Sequence, residues 1–83
     1  MKSIIKRNGT TVAYDRNKIS KAIAKAFISV NSQASTEQLE DYLNQIEAKL
    51  SDQESCGVEL IQDTVEQVLM KNDQYAVAKS YIL

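Results

Sequence analysis

The stretch from Ile4 to Ile23, IIKRNGTTVAYDRNKISKAI, passes from strand–turn–strand composition straight into a helical pattern with no linker between, which sharply limits the folds open to the chain. Ile4 and Ile5 are β-branched, Asn8-Gly9 is the strongest hairpin signal in the two-residue turn repertoire, and Thr10 to Tyr14 is a second β-rich run. The spacing predicts a β-hairpin. Asp15 stands where an N-cap belongs, its carboxylate able to accept from the first free backbone N–H groups. Ile19, Ile23, Phe27 and Val30 then recur at helical spacing, which predicts a first helix from about Arg16 to Val30. Lys18, Lys21 and Lys25 line one flank of that helix beside its apolar stripe. A basic hairpin tip thus sits directly against a helix that opens with lysines, a unit suited to holding an anion.

The remaining segments read as helices. Ser35 with Gln38 matches a capping box ahead of Leu39, Tyr42, Leu43, Ile46 and Leu50, predicting a second helix over about Thr36 to Leu50. Asp52 to Gly57 is a polar break. Leu60, Ile61, Thr64, Val65, Val68 and Leu69 carry the period of a third helix ending near Lys71. Asp73 is placed to cap a fourth, with Tyr75, Ala78, Tyr81 and Ile82 as its apolar side; the pattern is still running at Leu83, as expected for a piece of a longer protein. Short helices and a two- or three-stranded sheet bury little alone, so the expected architecture is α+β, mainly α: a small four-helix bundle capped at one end by the sheet, as one domain over residues 1–83.

The chain has 83 residues, enough for one domain that buries ~60% of the surface its unfolded form exposes, and a deep catalytic cleft is not expected. Its net charge of −1 hides an asymmetry: residues 1–25 hold seven of the ten Lys and Arg against one acid, and the rest holds three against ten acids. The first segment therefore suits an anionic partner that is compact, since the acidic remainder repels an extended nucleic acid; the two halves are also able simply to attract each other. With no His and one Cys, a His-based triad, a zinc finger and an internal disulfide are excluded, and Cys56 reads as a small buried hydrophobe. No signal-peptide core and no apolar run of membrane-spanning length is present, so a cytoplasmic location without membrane contact is expected. Neither a Walker A pattern nor G-x-G-x-x-G occurs.

A hairpin folded over a bundle makes a crevice. Ile4, Tyr14, Ile19 and Ile61 are placed to offer an apolar slot for a flat ring, while Lys6, Arg7 and Lys18 reach for phosphates. Ile4 and Lys6 share one face of their strand; Arg7, beside the turn, reaches the other side or curls around it.

The order Ile4-Ile5-Lys6-Arg7-Asn8-Gly9, Val12-Ala13-Tyr14-Asp15, Lys18-Ile19, Ala22-Ile23 and Ala78-Lys79-Ser80-Tyr81-Ile82-Leu83 resembles the ATP-cone over essentially the whole chain. Asn8 stands where the family has Asp, and Tyr14 where it has Phe. The resemblance implies a non-catalytic regulatory domain of a ribonucleotide reductase, binding ATP or dATP with Mg2+ carried by the nucleotide. On that resemblance it would control overall activity through nucleotide-dependent assembly, with the catalytic body and further copies as partners. By matching position it implies that Lys6 and Arg7 bind the triphosphate and Lys18 lies near the phosphates or sugar. Ile4, Tyr14, Ile19 and Ile61 would flank the adenine, with Asp15 and Gln62 at its polar edge or the ribose. In the family a further basic residue follows the position of Leu83. The alternatives are the cone of a nucleotide-sensing repressor, with its link to nucleic acid, and a helical interaction module that binds no ligand.

Overall fold

The computed structural model describes residues 1–82, in the order β1 Ser3–Ile5, β2 Thr11–Ala13, α1 Arg16–Ser29, α2 Thr36–Lys49, β3 Ser55–Gly57, α3 Val58–Lys71 and α4 Tyr75–Ile82. The expected α+β architecture forms, four helices with a three-stranded sheet. Leu83, where the fourth helical pattern ran out, lies outside the described residues.

The sheet order is β2-β1-β3, with β1 antiparallel to β2 and parallel to β3. Ile4 stands opposite both Val12 and Cys56, so these three side chains share one face. Cys56 is only 1% exposed, which identifies that face as the one laid on the helices. The outer face carries the exposed Ile5 and a hydroxyl contact between Ser3 and Ser55 at 2.6 Å. Half of the expected polar break is therefore a strand. Ser55-Cys56-Gly57 is too short and polar to show a period, and pairing with β1 rather than its own propensity makes it extended.

The hairpin turn also differs from the two-residue form. The Lys6 N–H donates to the Thr10 carbonyl at 2.8 Å and the Gly9 N–H to the Lys6 carbonyl at 2.9 Å, leaving Arg7, Asn8 and Gly9 as a three-residue loop. A type I′ turn needs positive φ at both central residues, but here only Gly9 has it, at +87°. Asn8 instead accepts the Thr10 N–H on its side-chain oxygen at 3.0 Å.

The helix starts follow their caps. Asp15 accepts from the Asn17 N–H at 3.0 Å, and Ser35 and Gln38 form the reciprocal capping box. Two ends are built by left-handed residues. Asn31 (φ 59°) and Asp73 (φ 63°) follow the C-caps Val30 and Asn72. In each case the next residue, Ser32 or Gln74, donates back to Phe27 or Leu69, the Schellman arrangement. Asp73 thus closes α3 and does not cap α4, because a residue at positive φ cannot take the extended N-cap conformation; Gln74, whose carbonyl accepts from the Ala78 N–H, occupies that place.

Apolar residues of all four helices meet in one core in which Ile23, Ile46, Val65, Val68, Leu69 and Ala78 are fully covered, with the Phe27 and Tyr42 rings stacked 6.2 Å apart. Leu60 and Tyr75, expected on the apolar sides of α3 and α4, are instead exposed, and Val77 takes the buried place on α4. Helix α4 packs between α1 and α3, and α2 closes the bundle against both of the same helices. Among the described residues no helix is long and apolar enough to cross a membrane.

Candidate functional site

The hairpin loop places Lys6 and Arg7 over the start of α3, because β1 is paired on one side with β2 and on the other with the strand that runs directly into that helix. A recess of about 400 Å³ lies there, lined by Lys6, Arg7, Asn8, Val58 and Gln62. Arg7 lies across it, donating from Nη2 to Gln62 Oε1 at 3.3 Å and standing 3.7 Å from Glu59 Oε1. Lys6 pairs with no carboxylate among the described residues. Both tip cations therefore serve one recess. The rim is completed by the amino end of α3, whose N-cap is Gly57 and has no side chain to accept from the first-turn amides. A helix N-terminus carries partial positive charge, so loop and helix present the same sign to whatever enters.

A second recess, of about 420 Å³, runs between α1, α3 and α4 and is lined by Ala22, Lys25, Ala26, Ser29, Gln62, Ser80 and Tyr81. Gln62 borders both, so the two are neighbours across one side chain. Burial raises the Tyr81 phenol above its ordinary range.

Of the nine residues expected in the site, Lys6, Arg7 and Gln62 come together in the first recess. Ile19 and Ile61 are core residues, 7% and 3% exposed, and Ile4 is half-buried against them. Lys18 and Asp15 stand exposed at the start of α1, outside both recesses.

The Tyr14 hydroxyl is committed to α2, and Tyr14 lines neither recess. Its hydroxyl donates to Glu47 Oε2 at 2.6 Å, and Arg16 donates from Nε to the same oxygen at 3.1 Å. Arg16 also reaches Glu40 at 2.9 Å and Asn44 at 3.2 Å. The hydrogen bond to Glu40 leads the effects that raise the Arg16 guanidinium further above its already high range. For Tyr14, burial first and the Glu47 carboxylate second push the phenol up, so it stays protonated and donating. The opposite charges of the two halves do meet across the fold here and at Arg7. Lys2, Lys6, Lys18, Lys21 and Lys25 form no such pair among the described residues.

Sequence reading did not single out Val58, Gly57 or Glu59. All three lie at the strand-to-helix junction, and the signal available was the absence of any Ser, Thr, Asp or Asn at position 57 before a strongly periodic helix. Cys56 is buried as expected, and burial raises its thiol, which leaves it an inert packing group.

A family model described as ATP cone domain matches residues 2–83. The chain is 44% identical over 88 residues to a vitamin B12-dependent ribonucleoside-diphosphate reductase of Thermoplasma acidophilum, covering 100% of this chain and 11% of that protein. It is 39% identical over 95 residues to a ribonucleoside-diphosphate reductase subunit alpha of Chlamydia muridarum, covering 98% and 9%. A subunit alpha of Treponema pallidum is 39% identical over 87 residues, covering 96% and 10%. The chain thus spans about a tenth of the length of these relatives. With the family model running from the first strand through the last helix, over the same sheet-capped bundle, this chain belongs to the ATP cone domain family.

Proposed function

We propose that the chain is a regulatory adenine-nucleotide-binding domain that takes ATP or dATP and controls a ribonucleotide reductase body. The observation that carries this reading is the convergence of Lys6, Arg7, Gln62 and the amino end of α3 on one recess. Two cations and the backbone N–H groups of a helix start form a donor set matched to a chain of phosphates, with the Gln62 amide beside them for the sugar or base. Lys6 and Arg7 hold the triphosphate. Lys18 meets the phosphates or sugar, Asp15 and Gln62 the polar edge of the base or the ribose, and Ile4, Tyr14, Ile19 and Ile61 flank the ring.

Ile19 and Ile61 offer almost no free surface, so a ring reaches them only when the side chains over them shift. Binding is therefore coupled to movement of the sheet on the helices, and this is where regulation enters. A ligand that favours one placement of the cap shifts any equilibrium linked to it by its differential affinity, typically ~1–3 kcal/mol. ATP and dATP differ by one hydroxyl, worth about 1 kcal/mol as a net hydrogen bond, so the assembly each stabilises does more to separate them than affinity does. Mg2+ arrives with the phosphates, as their counter-ion.

Calorimetric titration of the chain with ATP and dATP, against Lys6→Ala and Arg7→Ala and with duplex DNA as control, tests the reading. Saturable nucleotide binding that weakens at least tenfold in either variant is expected, each lost charge-assisted contact contributing ~1.5–3 kcal/mol. DNA binding without a nucleotide response overturns it in favour of a nucleic-acid module, and no response to either overturns it in favour of an interaction module.

A further inference from the structure

We propose that Glu59 is a specificity-determining residue of the recess: its carboxylate holds the Arg7 guanidinium when no ligand is present and must be displaced by an entering phosphate. The inference rests on the phosphate-binding part of the function proposed above. Arg7 has two acceptors, Glu59 Oε1 at 3.7 Å and Gln62 Oε1 at 3.3 Å, both from α3 and three residues apart, hence on one side of the helix. A recess of about 380 Å³, lined by Ile5, Lys6, Arg7, Gly57, Val58 and Glu59, lies beside the first and shares Lys6, Arg7 and Val58 with it. Arg7 is one of the shared walls, with its two acceptors on either side of it, Glu59 in this recess and Gln62 in the first.

The pair is exposed on both sides, 68% for Arg7 and 76% for Glu59, so it exchanges readily and acts as a competitor rather than a strut. A phosphate offers the guanidinium two oxygens in its own plane and takes it from a single, long carboxylate contact. Displaced Glu59 is then left beside a row of new negative charges. The penalty grows with the charge on the ligand and shrinks when a divalent cation neutralises part of it, so Glu59 selects a metal-bound polyphosphate over a bare one.

Glu59 also sits in the first turn of α3, where an acid favours the helix. Its removal should therefore lower stability slightly while raising affinity, opposite signs that a purely structural residue does not produce.

The test titrates inorganic tripolyphosphate and ATP, each in EDTA and in excess Mg2+, into wild type, Glu59→Gln and Asp63→Asn. Asp63 is an exposed acid one helical turn beyond Glu59 that lines neither of these recesses and makes no ion pair with Arg7, so its variant makes the same change in net charge one turn further along the helix. Glu59→Gln is expected to tighten tripolyphosphate by roughly three- to tenfold in EDTA, the size expected for removing one charge a few ångströms away at the protein boundary. The gain is smaller in Mg2+, and Asp63→Asn stays under about twofold. No tightening in Glu59→Gln, or an equal gain in Asp63→Asn, overturns the inference. If ATP binds wild type and Glu59→Gln leaves it unchanged, the nucleotide reading stands and this one falls. If tripolyphosphate shows the expected gain while ATP binds no tighter than it, this one stands and the adenine reading falls. Absence of binding by both probes to all three proteins overturns both.

Discussion

Tyr14, expected in the site, shows what one side chain does for the fold. Asp15 after it caps α1, and Ala13 before it ends β2, so the Tyr14 hydroxyl on Glu47 ties the root of the hairpin to α2. Replacing it with Phe keeps the ring and removes the donor. Chemical denaturation of Tyr14→Phe at neutral pH should show a loss of about 1 kcal/mol, the net worth of one hydrogen bond with Arg16 still holding Glu47. The pH dependence has a definite sign. Burial and Glu47 raise the Tyr14 phenol in the folded state, so the fold binds this proton more tightly than the unfolded chain does. That contribution is complete below the ordinary tyrosine value of about 10 and is lost as pH climbs towards the raised one. Wild type should thus lose stability with rising pH above ~10, and Tyr14→Phe should lose less, in parallel denaturation series.

At the scale of the element, the ends of the helices decide more than their middles. Asn31 and Asp73 adopt the left-handed conformation that Schellman closures require, at a cost of roughly 1 kcal/mol for a residue with a Cβ. Asp73→Gly should therefore raise the unfolding midpoint, by up to about 1 kcal/mol in stability, and Asn31→Gly by less because Asn tolerates this region well. Ser35→Ala should act in the other direction by ~0.5–2 kcal/mol, since it opens the capping box at the head of α2. Asp15 and Ser35 were legible as caps because an N-cap is a local event, one side chain meeting an amide two or three residues on. Asp73 was misplaced for a related reason: the residue type favours both a helix start and a left-handed stop, and only the carbonyls of the preceding turn decide which.

For the whole molecule the reserve is small, because a chain of this length has one core and little beyond it. Ile23 is fully buried among the helices, and Ile23→Ala should cost ~2–5 kcal/mol, a large part of the ~5–15 typical of a domain. A nucleotide that binds only the folded chain should restore part of this, about 2.7 kcal/mol at a hundred times its Kd, visible as a rise in the Tm of the variant on adding ATP. The same experiment reports on the site without relying on a catalytic readout.

The sequence alone determined the four helices, the hairpin and the cationic tip, because apolar spacing, capping side chains and an Asn-Gly turn all act within a few residues. It placed Arg7 on the loop with Lys6 at its foot, and Gln62 one position after a core isoleucine. Tertiary structure decided what those residues face. The pairing of β1 with Ser55–Gly57 is a contact across some fifty residues of sequence, without local signature, and it alone swings the amino end of α3 beneath the hairpin loop. From that one register come the partnership of Arg7 with Glu59 and Gln62 and the recess itself. The engagement of Tyr14 by Glu47 is equally non-local, since it depends on how α2 lies against α1. Local chemistry fixed which elements exist, and long-range packing fixed which charges meet.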